Sequence, residues 1–199
     1  MTTQKGAPVL LDWAKARLDE MNATLSSLEA EVGKLQSVAR KQAQGAIAEM
    51  LKQRDAFSDA IKKQRGATEG AWAKAKAALE SDWKAFETSV QQYFDAAREQ
   101  SGQPMAVFRA VADAQRKAWQ HAIDELGKTA AGLATGQKAQ AESAMKRMKA
   151  DAEAAKAKLD TLSRAGTESW SAYKAALAAT RAAFDRANQA VQDAFKRAA

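Results

Sequence analysis

Two stretches of the chain repeat each other at an interval of 98 residues. Trp72, Leu79, Phe86 and Tyr93 recur at every seventh position, and Trp170, Leu177, Phe184 and Val191 do the same. The interval is a whole number of heptads, so the second copy keeps the phase of the first. An apolar side chain at every seventh residue marks helices packed along a seam. Two copies in phase predict a duplicated helical unit. They define an architecture and no chemistry.

Composition agrees with helices. Of 199 residues, 50 are alanine and only Pro8 and Pro104 are proline. Alanine is the strongest helix former because it surrenders no rotamer freedom. Runs of β-branched and aromatic residues of the strand-forming kind are absent. The expected fold class is all-α: long amphipathic helices in an antiparallel coiled-coil or helical-bundle arrangement, in two tandem duplicated halves. Alanine also thins the core, because its side chain removes little apolar area from water.

Residues 1–8 are polar and end in Pro8, which predicts a disordered tail. A first helical unit is expected over 9–100, with helices at about 9–65 and 68–99. A second is expected over 104–199, with helices at about 104–163 and 167–197. Leu11, Leu18, Leu25 and Val32 form one row of the first helix, and Ala14, Met21, Leu28 and Leu35 the other. After Ala39 the stripe continues one residue out of phase, through Ala43, Ile47, Met50, Phe57 and Ile61. Such drift lengthens the average period and should straighten a supercoil. Gly66 and Thr68 can end one helix and cap the next. Ser101-Gly102-Gln103-Pro104 is the strongest interruption. Gly127, Gly132 and Gly136 predict a kink, a frayed stretch or a further turn. Two geometries fit. Each half folds back on itself near 66–68 and 164–167, or each is one nearly continuous helix that demands a partner chain.

Several classes of chemistry find no support. The chain has no cysteine, and His121 is its one histidine, so a transition-metal site of several His or Cys ligands is not available. Phosphate-binding glycine loops, nucleophile elbows and metalloprotease signatures are missing. No catalytic, cofactor-binding or metal-ligating residues are expected, and no enzyme. No stretch approaches the length of a membrane span. Val9-Leu10-Leu11 is the longest early apolar run, too short for the core of a secretion signal. The expected location is cytoplasmic.

The net charge of +7 falls mostly on residues 101–199, which makes that half the one to meet an acidic partner. Lys146-Arg147-Met148-Lys149 and Lys62-Lys63-Gln64-Arg65 are its basic clusters' best examples in the two halves. Most such runs are solvated helix faces. Nucleic acid is the less supported partner, because acids are interleaved throughout and no nucleic-acid-binding signature accompanies them. Trp83, Phe86, Val90, Tyr93 and Phe94 make the most aromatic stretch. Core packing is the simpler reading of the tryptophans. The sharper one makes Trp83 and Phe94, with Lys146, Arg147 and Lys149, an exposed surface-binding set.

Residues from about 25 to 99 resemble a family of small bacterial stress-associated coiled-coil proteins. The likeness rests on Gly70-Ala71-Trp72, the second tryptophan Trp83, and the preceding Lys52-Gln53-Arg54-Asp55-Ala56. The second half, above all 169–199, resembles phasins, alanine-rich helical proteins that coat polyhydroxyalkanoate granules. Ala183-Phe184 and Ala194-Phe195 carry that likeness. The heptad from Leu11 to Leu35 and the duplicated Trp72 and Trp170 units make a self-associating coiled-coil structural protein the first expectation, with itself or a helical protein as partner, and the first resemblance adds a stress-related role. The second implies a coat on a polyester granule or lipid surface. Neither implies a catalytic residue.

Overall fold

The computed structural model describes residues 7–64, 67, 69–97, 103–131, 135–165 and 170–198. These form six helices: α1 (Ala7–Val32), α2 (Ser37–Lys63), α3 (Glu69–Ala97), α4 (Gln103–Ala131), α5 (Thr135–Ala165) and α6 (Trp170–Ala198). Among the described residues there is no strand, and no helix is long and apolar enough to cross a membrane. The chain is a six-helix bundle, all-α, built as two tandem three-helix halves. α2 and α5 begin at Ser37 and Thr135, which are one repeat interval apart. The duplication therefore extends to where the middle helix of each half starts.

Neither geometry read from the sequence is fully correct. Each half contains three helices, because the helix expected over 9–65 is broken at 33–36. Gly33 is a weak helix former, and the chain tightens there through bonds from Lys34 N–H to the Glu31 carbonyl and Leu35 N–H to the Val32 carbonyl. Leu35 then drops into the core, 1% exposed. The Arg40 guanidinium reaches back to its carbonyl at 2.7 and 3.1 Å. The one-residue slip of the apolar stripe after Ala39 thus marks a change of helix, not a straightened supercoil. In the second half the expected helix 104–163 is likewise divided between Ala131 and Thr135. Gly132 lies outside the described residues, as do Gly66, Thr68, Ser101 and Gly102 and most of the expected N-terminal tail. Pro104 sits in the first turn of α4, where a missing N–H costs nothing.

Helices joined by so few residues must fold back on each other. α2 packs mainly on α1 and α3, and α5 mainly on α4 and α6. The halves meet chiefly through α1, which lies along α4 and also touches α6, and through α3, which meets α6. The main core is shared between them: Leu28, Met50, Phe57, Trp72 and Phe86 pack into one cluster with Phe108, Tyr173 and Leu177. Fully burying each such side chain is worth about 1.5–3 kcal/mol. A smaller cluster of Trp119, Ile123, Met148, Phe184 and Val191 lies to one side, with Ala16 as the contribution of α1.

Tyr93 is completely buried in the main core, against the edge of Phe94 at 5.5 Å. Burial, with the Glu31 carboxylate nearby, pushes its phenol from the ordinary 10 up to about 12. The unfolded chain therefore loses this proton at lower pH than the folded one. The contribution is fully present below pH 10 and is lost as pH rises toward 12. Stability followed by circular dichroism should fall across that window, and Tyr93→Phe should flatten the fall. An identical alkaline profile for that variant would refute the assignment.

Candidate functional site

The seams are not wholly apolar. Arg17 falls between Ala14 and Met21 at the three–four spacing of the α1 stripe, and Thr24 follows on the same line. Arg181 falls between Leu177 and Phe184 on α6 in the same way. Helix periodicity turns these side chains inward, where α1, α3, α4 and α6 converge. They form the densest group of charges in the molecule's interior.

Glu20 is its hub, 1% exposed. One carboxylate oxygen accepts from Arg17 Nη1 at 3.0 Å. The other accepts from Arg181 Nε at 2.9 Å and from Gln115 Nε2 at 3.0 Å. Arg17 continues to Asp185, donating from Nη2 to both oxygens at 3.0 and 2.9 Å. Arg181 continues to Glu87 on α3 at 2.9 Å. Gln115 also donates to the Leu177 carbonyl at 3.1 Å. Trp83 lies under the Arg181 guanidinium at 4.8 Å and faces Arg17 at 5.7 Å. Each cation thus has both a carboxylate and an aromatic face.

Electrostatics follow from burial. Three carboxylates face two guanidiniums, so the group carries one net negative charge. Burial raises the Asp185 pKa above the ordinary carboxylate value, and the Arg17 charge beside it only partly opposes that. Burial works against the Arg181 charge, but Glu20 and Glu87 outweigh it and lift that pKa further.

What this centre can do chemically is narrow. The cavities beside it measure about 30 and 10 Å³. A single water takes roughly 30 Å³, and small-molecule sites run to several hundred. Among the described residues no three His, Cys, Asp or Glu side chains group as metal ligands. His121 is exposed on α4. The network ties helices together across the two halves.

The residues expected on the seam are mostly inside. Leu25, Trp72, Leu79, Phe86, Tyr93, Trp170, Leu177, Phe184 and Val191 are buried. Leu11, Leu18 and Val32 are half-buried against the main core. Two of the expected surface-binding residues are not on the surface. Trp83 is buried and stacks on Phe86 at 5.9 Å, and Phe94 is buried against Trp170 at 4.5 Å. The reason is that α3 packs against α2 on one side and reaches α6 and the charged centre on the other, so more than one of its faces is covered. Lys146, Arg147 and Lys149 are exposed on α5, as expected. They lie apart from the aromatic residues, so the expected set does not form one patch. Lys62 and Lys63 are exposed at the end of α2, and Arg65 lies outside the described residues.

Glu20, Gln115, Arg181, Glu87 and Asp185 were not expected as a group. The available signal was a polar residue in an apolar row. The repeat interval offers a second: it pairs Arg17 with Gln115, Trp83 with Arg181 and Glu87 with Asp185.

Fold and centre define a class, an all-α six-helix bundle with an ionic group at the junction of its halves. Comparison with known proteins adds no relative: no family model, no curated protein and no solved structure matches the chain.

Proposed function

We propose that the protein is a non-enzymatic structural protein that works through its amphipathic helices, and that its partner is a lipid or polyester surface. One observation carries this reading. The apolar faces of the helices, more than one of them on α3, are used against one another: the exposed large hydrophobic among the described residues is Val38. A stripe satisfied by a sister helix can equally be satisfied by an apolar surface, provided the bundle opens. The likeness of residues 169–199 to phasins and the positive balance of the second half support the same reading. Flotation with phosphatidylglycerol vesicles and with polyhydroxyalkanoate particles tests it. The protein should rise with either at low salt and remain helical. Protein left at the bottom of the gradient in every salt condition would end it.

A second reading, self-association as a stress-related coiled-coil factor, is favoured by Leu11, Leu18 and Val32. These stay half-buried on α1, and Leu18 borders an open groove with Lys15, Lys117 and Phe184. Against it, the seams that called for a second chain are filled from within. Sedimentation velocity at micromolar concentration separates the two, since this reading requires a dimer or larger species.

A further inference from the structure

Residues 135–161 of α5 have their counterparts one repeat earlier in α2, and the two helices bury unequal side chains. α2 buries Ile47, Met50, Phe57 and Ile61 besides two alanines. In α5 the buried large side chains among those described are Met148 and Leu159. Ala155 stands where α2 has Phe57, which is wholly buried and meets Trp13 at 6.5 Å.

An open groove runs along each flank of α5, and the one beside Ala155 lies where no ring answers to Phe57. One, of about 740 Å³, separates it from α4, with Ala152, Ala155 and Leu159 facing Trp119 and Ile123. The other, of about 780 Å³, separates it from α6, with Ala144 and Met148 facing Ala187 and Ala194.

Attachment is also uneven along α5. Leu159 belongs to the main core. The ties to α4 lie beside it: Arg116 pairs with Asp160 at 2.8 Å, and Arg109 bonds the Ser163 hydroxyl and carbonyl at 3.1 and 3.2 Å. Toward its N-terminal end α5 contributes, among the described side chains, one fully buried large one, Met148, and that to the smaller cluster. There Trp119 meets Phe184 edge-on at 5.1 Å, and its indole N–H has no hydrogen-bond partner among the described residues. An indole so placed gains a partner at the boundary between an apolar phase and water.

We propose that α5 is a strap: held to α4 by its short link at one end and at Leu159–Ser163 at the other, it opens between these ties, over residues 141–156, and bares Met148, Trp119 and Phe184 to an anionic lipid surface. Segments holding few large buried side chains open at the lowest free energy. The charge suits the partner. α5 carries seven Lys and Arg against four Asp and Glu, and Lys146, Arg147 and Lys149 stand exposed beside Met148. Cations flanking an apolar face strengthen attachment to anionic headgroups.

The inference rests on the surface reading above, and hydrogen exchange of the full-length chain separates the two. Without vesicles, amides of residues 141–156 should exchange at least about tenfold faster than those of 43–58. With phosphatidylglycerol vesicles that difference should shrink, and with neutral vesicles it should persist. Ala155→Phe fills the groove as Phe57 does in α2. It should slow exchange in α5 and weaken flotation about tenfold, and Ala152→Leu should do the same to a lesser degree. Equal exchange in α5 and α2 overturns the strap. Fast exchange in α5 without any flotation supports the strap and overturns its lipid partner.

Discussion

Glu20→Ala should lower the unfolding free energy by about 2–4 kcal/mol, since it removes a buried acceptor of three hydrogen bonds, two of them from charged donors, although each arginine keeps one carboxylate. Its carboxylate receives Arg17, Arg181 and Gln115 in a place where water does not enter freely. Truncation leaves Arg181 with Glu87, and Arg17 with Asp185 at the rim. Neither remaining carboxylate reaches both cations. Urea unfolding followed by circular dichroism measures the loss. Glu49→Ala sets the scale, because the Glu49–Lys52 pair is exposed on both sides and such pairs contribute about 0–1 kcal/mol. A Glu20 variant no worse than the Glu49 variant would show that the network does not bind the halves. Replacing Arg17, Glu20, Glu87, Arg181 and Asp185 together by apolar residues of similar volume should cost much less than Glu20→Ala alone. A complete ion group earns little over a well-packed apolar one, whereas an incomplete group is penalised heavily.

Phe57→Ala should have a comparable effect, about 3–5 kcal/mol, through a different cause. The ring has no exposed surface and packs against Trp13 between α1 and α2. Truncation removes its transfer free energy and leaves a cavity that the neighbours only partly fill. For a chain of this size the melting temperature should drop by roughly 2–4 °C for each kcal/mol lost. The substitution also makes α2 resemble α5 at the matching position. Its exchange rate should then approach that of α5, a second readout from the same sample. A melting temperature within one degree of the parent would contradict the packing described for Phe57.

Helix content and seam membership were legible because they depend on local spacing. Leu25, Leu79, Phe86 and Phe184 point inward for the reason their intervals suggest. The break at 33–36 was not legible in the same way. No proline marks it, its flanks favour helix, and one glycine costs only about 1 kcal/mol. What accompanies the end of α1 is the burial of Leu35 in the main core, whose other members lie mostly far along the chain and which no short window contains. The slip in the apolar stripe after Ala39 was visible, and it has two readings: a relaxed supercoil or a new helix. Trp83 and Phe94 were misplaced for a related reason. A heptad stripe tells which face meets one neighbour, and α3 has several.

The ionic centre lay further from view. Its members come from four helices, and Glu20 and Arg181 are 161 residues apart. Only an arginine in a row of alanine, methionine and leucine hinted at it. The basic residues of α5 were read correctly as solvent-facing, since nothing in their spacing turns them inward.

The exchange of Trp83 for Arg181 between the repeats has a consequence for how the halves recognise each other. Two copies of the first half docked in the same way would bring indole to indole, without the Arg181 guanidinium that now covers Trp83. Two copies of the second would set guanidinium against guanidinium, with Gln115 in place of the arginine that now engages Asp185. The covalent link therefore joins non-identical complements, and a fragment holding only residues from 103 onward should be a poor mate for itself while still accepting the other fragment in trans.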